Sequence, residues 1–247
     1  GASNSGSISF NIEDTAAAIS GSTNEFLSKT GIGTVTVEGI ALKDQANTIG
    51  GFTKAVVFSI SDEAVNVAAI NSAALNKAVN ISTTTSATVA EATTIDNASN
   101  SGSNTYNIED NGTNIAASSS EFLAKAGTVT VSGTVNKAQA NTIGGFAKAV
   151  NYNIADDAVN IAAINSGSLN EAINITANTA ATVAEAKIID DASNSGSNTY
   201  NINDTALKIF EGDSVAIIAA GTVTASDSAN VAQANRISGF SKSVTYD

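Results

Sequence analysis

The groups that could do chemistry in this chain are carboxylates, lysines and hydroxyls, because its 247 residues include no His and no Cys. That absence removes Ser–His and Cys–His nucleophile–base pairs, His- and Cys-ligated zinc, and thiol chemistry. Adjacent carboxylate pairs such as Glu13/Asp14, Glu109/Asp110 and Asp190/Asp191 have the residue types for general acid–base work. They recur at repeat-equivalent places, at helix starts or in loops, so a capping role is expected of them. Gly50-Gly51-Phe52-Thr53-Lys54 and its copy Gly144-Gly145-Phe146-Ala147-Lys148 lack the adjacent Gly-Lys-Ser/Thr of a phosphate loop and precede a strand, not a helix. Gly31-Ile32-Gly33 lacks the third glycine of a dinucleotide fingerprint. Hard oxygens are gathered in Gly-containing loops by Asp96 with Asn100 and by Asp190/Asp191 with Asn194, where a structural calcium would have to sit. Neither an EF-hand loop nor a calcium nonapeptide accompanies them. No catalytic, cofactor-binding or metal-binding residue is assigned.

What positions these groups is a repeat. The aromatic of a Phe/Tyr-x-Ile-x-Asp motif returns at Phe10, Phe58, Tyr106, Tyr152 and Tyr200, with its start again at Tyr246, at spacings of 48, 48, 46, 48 and 46 residues. A fixed period in this range means stacked supersecondary units. The repeats run approximately over 8–55, 56–103, 104–149, 150–197 and 198–243, with a further copy starting at 244–247, and the whole is read as one repeat-array domain.

Each repeat divides again. Tyr200–Ala206 is echoed by Val223–Ala229, an offset of 23 residues. A half-repeat has a short alternating run that reads as a strand, then Asp, Thr or Ser, then an Ala-rich stretch that reads as a short helix. First-half helices are expected to be capped by Asp14, Asp62, Asp110, Asp156 or Asp157, and Asp204. Second-half helices are expected near Leu42–Ile49, Thr88–Ile95, Val135–Ile143, Thr182–Ile189 and Asn230–Ile237. In the odd repeats they end in Ile-Gly/Ser-Gly-Phe, where a glycine is expected in the left-handed C-cap conformation. In the even repeats they end in polar loops, Asp96–Gly102 and Asp190–Gly196, echoed in part at Ala2–Gly6. Asn11, Asn107, Asn153 and Asn201 share one strand position and suggest a stacked amide ladder. Thr-rich strands such as Thr34–Val37 and Thr128–Val131 hint at an ice- or glycan-binding lattice, but Val79–Ile81 and Ile173–Ile175 interrupt it, and β propensity explains the Thr.

Aromatic residues are 5% of the chain and charged residues 14%, against roughly 25% charged in an average domain, so the core must be thin and aliphatic. Eleven basic against 23 acidic residues give a net charge of −12, which repels phosphate backbones and anionic membranes and argues against nucleic acid. No apolar run approaches the roughly 20 residues that cross a bilayer, so no membrane insertion is expected. The chain lacks Met altogether and carries no capping repeat, which suggests a processed product or a piece of a longer array.

The pattern Tyr-Asn-Ile-x-Asp-Thr-Ala (Tyr200–Ala206) with Thr-Val-Ala-Glu-Ala (Thr182–Ala186) resembles β-α repeat arrays in large, acidic surface or secreted proteins of bacteria, cyanobacteria especially, along essentially the whole chain. The resemblance implies an extracellular or cell-surface location and a structural or adhesive role, and it names no binding residue. The expected fold is α/β: a β-α solenoid of about five 46–48-residue repeats, each two β-α half-repeats, with about ten parallel strands in one continuous sheet and short helices on the other side. An alternative coil uses the full period, with first-half and second-half strands in separate sheets. The expected function is a structural module of a filament, surface layer or adhesin stalk, not an enzyme. Its partner is another copy, head to tail, or flanking repeats. The alternative is a module binding glycan, ice or a protein on an exposed face.

Overall fold

The computed structural model describes residues 9–246. The loop echo at Ala2–Gly6 and the final Asp247 lie outside the described residues. The chain forms two compact units, Gly1–Glu109 with Lys125–Thr128, and Asp110–Ala124 with Val129–Asp247.

The first unit runs β1 (Phe10–Thr15), α1 (Ala16–Ser20), α2 (Asn24–Leu27), β2 (Ile32–Glu38), α3 (Lys43–Gly50), β3 (Val56–Val57), β4 (Ile60–Asp62), α4 (Ala64–Ala68), α5 (Ser72–Lys77), β5 (Ile81–Thr83), α6 (Val89–Asp96) and β6 (Asn104–Thr105). The strand β7 (Ile108–Asn111) begins in the first unit and ends in the second. The second unit continues with α7 (Gly112–Ala116), α8 (Ser120–Ala124), β8 (Val129–Val135), α9 (Lys137–Ile143), β9 (Asn151–Asp156), α10 (Ala158–Ile161), α11 (Ser166–Glu171), β10 (Ile175–Ala177) and α12 (Val183–Asp190). It closes with β11 (Asn198–Thr199), β12 (Ile202–Asp204), α13 (Ala206–Glu211), α14 (Ser214–Ala219), β13 (Val223–Ala225), α15 (Val231–Ile237) and β14 (Val244–Tyr246).

The α/β class holds, and every registered strand pair is parallel. In the first unit β1, β2 and β3 lie side by side, as do β4, β5 and β6. In the second, β11, β10, β9 and β8 follow one another, and β12, β13 and β14 form a separate sheet. Pairing joins each first-half strand to a second-half strand: Ile60 faces Ile81, Ile154 faces Ile175, and Ile202 faces Val223, each 21 residues on. A 47-residue coil with separate first-half and second-half sheets is therefore not what forms in either unit. One continuous sheet does not form either: in the second, third and fifth repeats the extended segment is interrupted at the motif aromatic, with Phe58, Tyr106 and Tyr200 lying between short strands of different sheets.

Two further irregularities come from glycine. Gly39 and Gly133, at φ of 84° and 86°, follow or interrupt the long strands β2 and β8, a backbone region that side chains with a Cβ avoid. The register drops there from 21 residues (Val35 to Val56) to 19 (Ala41 to Ile60), the mark of a bulge.

The core is thin and aliphatic, as the composition requires. Strand residues Ile60, Ile81, Ile154, Ile175, Ile202 and Val223 are at most 1% exposed. They meet an Ala-x-x-Ile stripe on each longer helix: Ala46/Ile49, Ala92/Ile95, Ala140/Ile143 and Ala186/Ile189 are equally buried. Each first-half coil carries two short helices where one was expected. Except at α11, the second opens on its own side-chain cap, as when Asn71 Oδ1 accepts from the Ala74 N–H at 2.8 Å, and it buries one Leu or Ile, such as Leu75 or Ile217.

Candidate functional site

The polar side chains that recur are spent on tying one coil to the next. The motif aspartates do not cap their own helices, as the sequence suggests. Thr15, Asn111 and Thr205, one residue later, fill that role with side-chain oxygens. The aspartate turns instead to the preceding coil: Asp62 Oδ2 accepts from the Lys43 N–H at 3.0 Å, Asp156 Oδ2 from Lys137 at 2.9 Å and Asp204 Oδ2 from Val183 at 3.0 Å. Those N–H groups open α3, α9 and α12. The first-half helices receive the same treatment from the following coil, Ala64 donating to Thr85, Ala158 to Thr179 and Ala206 to Asp227. A carboxylate placed on a free helix-start N–H meets an orphan donor and the positive end of the helix at once. Reading the Asp as a cap was right in kind and wrong in address, because the strand end projects one coil back.

The remaining oxygens of Asp62 and Asp156 are also occupied. Asp62 Oδ1 accepts from Glu63 N–H and Asn66 Nδ2, and Asp156 Oδ1 from Asp157 N–H and Asn160 Nδ2. Burial alone would raise both pKa values, but these donors outweigh it and hold both carboxyls below the ordinary value of 3.8.

A second row of ties replaces the expected amide ladder. Asn11, Asn107 and Asn201 accept backbone N–H groups of Thr34, Thr128 and Thr222 at 2.8–2.9 Å. A glycine stands beside each acceptor, since a Cβ at Gly33, Gly127 or Gly221 would collide with the amide. Only Asn153 meets another amide, accepting from Asn174 Nδ2 at 2.8 Å. A third row runs along the helices, where Asn47 Oδ1 accepts from the Asn71 N–H at 2.9 Å and Asn141 Oδ1 from the Asn165 N–H at 2.9 Å.

Open dents lie over the starts of the longer helices. One of about 440 Å³ is lined by Lys43, Asp44, Asp62 and Asn66, and one of about 380 Å³ by Lys137, Asn141, Asp156 and Asn160. These are the same place in successive odd repeats. The corresponding dent over α12, about 480 Å³, departs from them, with Lys187 where Asn47 and Asn141 stand, Lys208 where Asn66 and Asn160 stand, and Asp213 where Asn71 and Asn165 stand. Lys187 Nζ lies 2.8 Å from Asp191 and 3.4 Å from Asp213. Its pKa is raised, by the Asp191 hydrogen bond first and then by Asp213. This is the most individual polar cluster in the second unit, and its lysines and Glu211 have no counterparts in the odd repeats.

No family model, curated protein or solved structure matches the chain.

The other candidates from the sequence are dispersed. Asp14 sits exposed on β1 and accepts from Thr15 N–H; Asp110 is 8% exposed and accepts from Asn111 and Asn114. Asp190 accepts from the Tyr200 hydroxyl at 3.0 Å, while Asp191 faces Lys187, so the two neighbours serve different partners. Asp96 forms an ion pair with Lys125 at 2.7 Å, and Asn100 and Asn194 donate to the Val79 and Ile173 carbonyls. The Tyr106 hydroxyl is pushed up to about 12, by burial first and by the nearby Asp96 charge second. Among the described residues no group of three or more carboxylates is placed to hold a metal ion.

Lys54, in the glycine segment, donates to the Ile32 carbonyl at 2.7 Å. The glycines there are not in the left-handed conformation: Gly51 has φ −78° and Gly144 has φ −67°. Gly50 and Gly144 are small because the next coil presses on them, so that a Cβ would run into Ala74 or Ser168. No helix among the described residues is long and apolar enough to cross a membrane.

Proposed function

We propose that the chain is a structural repeat module, a β-α solenoid of about five 46–48-residue repeats serving an extracellular or cell-surface filament, surface layer or adhesin stalk. The observation that carries this reading is the use of the repeated polar residues: the motif Asp, the strand Asn and the helix Asn each spend an oxygen on a neighbouring coil. Residues so engaged are unavailable to a substrate. Acidic charge without His or Cys suits a surface that must stay soluble and inert. Its partner in this reading is another copy, head to tail, or flanking repeats of the same polypeptide, either of which would join through strand edges of the repeat. Analytical ultracentrifugation and electron microscopy of the purified chain at rising concentration test this. Growing linear assemblies are expected, and monodisperse monomers at every concentration would remove the self-associating role.

A second reading, a module that binds glycan, ice or a protein on an exposed face, draws on two features. Ser61, Ser82 and Thr105 stand in register on adjacent strands, and the dent over α12 carries the unrepeated Lys208 and Glu211. A glycan array without hits and unaltered ice growth would remove the glycan and ice forms of it.

A further inference from the structure

Where the helices α12, α13 and α14 meet, apolar side chains occupy surface positions that most sister repeats fill with small or polar ones. Leu207 on α13 stands in the place of Ala17, Val65, Thr113 and Val159, and Phe210 in that of Ser20, Ala68, Ala116 and Ala162. On α14, Val215 takes the place of Glu25, Ala73, Glu121 and Gly167, and Ile218 that of Ser28, Asn76, Ala124 and Asn170. On α12, Ile188 replaces the Thr48, Thr94 and Thr142 of earlier coils. The valines of the sister repeats, Val65 and Val159, are each the one exposed large apolar residue of their helix.

Ile188, Leu207, Val215 and Ile218 are 43%, 45%, 65% and 44% exposed. This exposure belongs to the outer surface of the coil. The same four positions are exposed in the second and third repeats, where coils precede and follow them in the chain. The Phe210 ring is half-buried, with the Arg236 guanidinium 5.2 Å from its centroid. The three helices adjoin: Lys187 of α12 reaches Asp213 at the start of α14, and α13 leads into α14 through Gly212. Lys187, Lys208, Glu211 and Gly212 line the dent of about 480 Å³ beside them. An apolar cluster rimmed by charge in this way marks a surface that another molecule covers.

The charges say which molecule. A rim of one sign would select a partner of the other sign, but this rim carries both. Lys208 and Glu211, one turn apart on α13, are exposed and make no ion pair among the described residues, whereas Lys187 is already held by Asp191 and Asp213. Two opposite, unspent charges so placed complement themselves after a half-turn. When α13 crosses a second α13 antiparallel, each Lys208 faces Glu211 of the other copy, and the apolar residues of both lie between. The net charge of −12 sets copies apart in general, so a contact between them needs a place where cations stand beside the carboxylates, and Lys187 and Lys208 supply it here.

We propose that the α12–α14 surface is a two-fold interface between two copies of this chain, with Leu207 and Phe210 at its centre, Ile188, Val215 and Ile218 around them, and reciprocal Lys208–Glu211 pairs at its rim. An isologous contact of this kind closes on itself, so it joins molecules side by side as dimers and is independent of any end-to-end association.

Sedimentation velocity of the full chain over a concentration series tests it, with circular dichroism checking that each variant is folded. Ile188→Thr, Leu207→Thr, Val215→Glu and Ile218→Asn are combined in one variant. Each introduced residue is the one that a sister repeat carries at that position, so the fold has a precedent for all four. The native chain is expected to form a closed dimer, and the fourfold variant to weaken it by about a hundredfold or more. Val65→Thr with Val159→Thr, which alters the isolated valines, should leave it unchanged. Lys208→Glu alone sets like charges face to face at both ends of the α13 pair and should weaken the dimer about tenfold, and adding Glu211→Lys should restore it. Self-association that the fourfold variant retains in full overturns the inference and leaves the end-to-end reading standing. A dimer indifferent to Lys208→Glu overturns the two-fold arrangement. Monomers at every concentration overturn both this inference and the self-associating role.

Discussion

The joint between α3 and α5 and the joint between α12 and α14 occupy the same place in the repeat and are closed by different chemistry. At the first, Asn47 accepts from the N–H and Nδ2 of Asn71, and Gly50 lets Ala74 press against the helix backbone. At the second, Lys187 faces Asp213 across the same gap, and Asp190 replaces the glycine, its carboxylate held by the Tyr200 hydroxyl. One geometry therefore accepts a neutral amide closure and a charged one. The coil-to-coil spacing is set by the backbone and the aliphatic stripe, and the polar closure is interchangeable so long as every oxygen finds a donor.

The largest effect should come from the glycine that the first joint needs and the second does without. Gly50→Ala inserts a Cβ against Ala74 and should cost about 1–3 kcal/mol, the usual penalty for overpacking a closed contact. Gly167→Ala in α11, where nothing lies within 4 Å of the added carbon, should instead stabilise by about 0.5–1 kcal/mol. Urea denaturation of both variants measures the difference. Equal and small effects would mean that the α3–α5 gap is loose, and the comparison between joints would collapse.

Next in size is the aspartate that reaches back one coil. Asp62→Ala leaves the first N–H of α3 without its acceptor and should cost about 1–2 kcal/mol, while Asp14→Ala, whose carboxylate among the described residues accepts from Thr15, should cost less. The pH dependence has a definite sign. Asp62 and Asp156 have folded pKa values below 3.8, so their contribution is fully present above the unfolded value and is lost as pH falls below 3.8 through the folded one. Stability should therefore decline on acidification from about pH 4 downward, less steeply in the double variant Asp62→Ala/Asp156→Ala. A decline equally steep in that variant would place the acid-labile groups elsewhere.

The period was legible in the sequence because identical strand and helix cores return every 46–48 residues, and the Ala-x-x-Ile spacing placed the five longer helices within a residue or two. The second helix of each first-half coil was not legible. At four to six residues it carries no periodicity, and only a cap such as Asn71 or Asp213 with one buried Leu or Ile announces it. The aspartates show a different limit. A residue between a strand and a helix has the same signature whether it caps its own helix or the one before, and the choice depends on how the strand end lies against the preceding coil. The dent over α12 was open to a repeat-by-repeat comparison, since Lys187, Lys208 and Glu211 break the pattern, but a search for motifs passes over them.

The smallest effect is the most direct trial of interchangeability. Lys187→Asn with Asp213→Asn rebuilds at the second joint the amide pair of the first, the two substituted side chains standing where Asn47 and Asn71 stand in the earlier coil. The ion pair it removes is half-exposed, with side-chain exposures of 49% and 33%, and Lys187 keeps Asp191 as a competing partner, so little net stability is at stake. Thermal midpoints of the native and doubly substituted chains should agree within about 2 °C at moderate salt. The difference should appear in the salt response. An ion pair at this exposure is screened as the Debye length shrinks from about 10 Å at 0.1 M to about 3 Å at 1 M, whereas an amide closure is indifferent to it. The native chain should thus lose a small salt-dependent increment that the double variant lacks. If the variant is markedly less stable at low salt, the charge is doing something at the second joint that an amide cannot, and the two joints are not versions of one device.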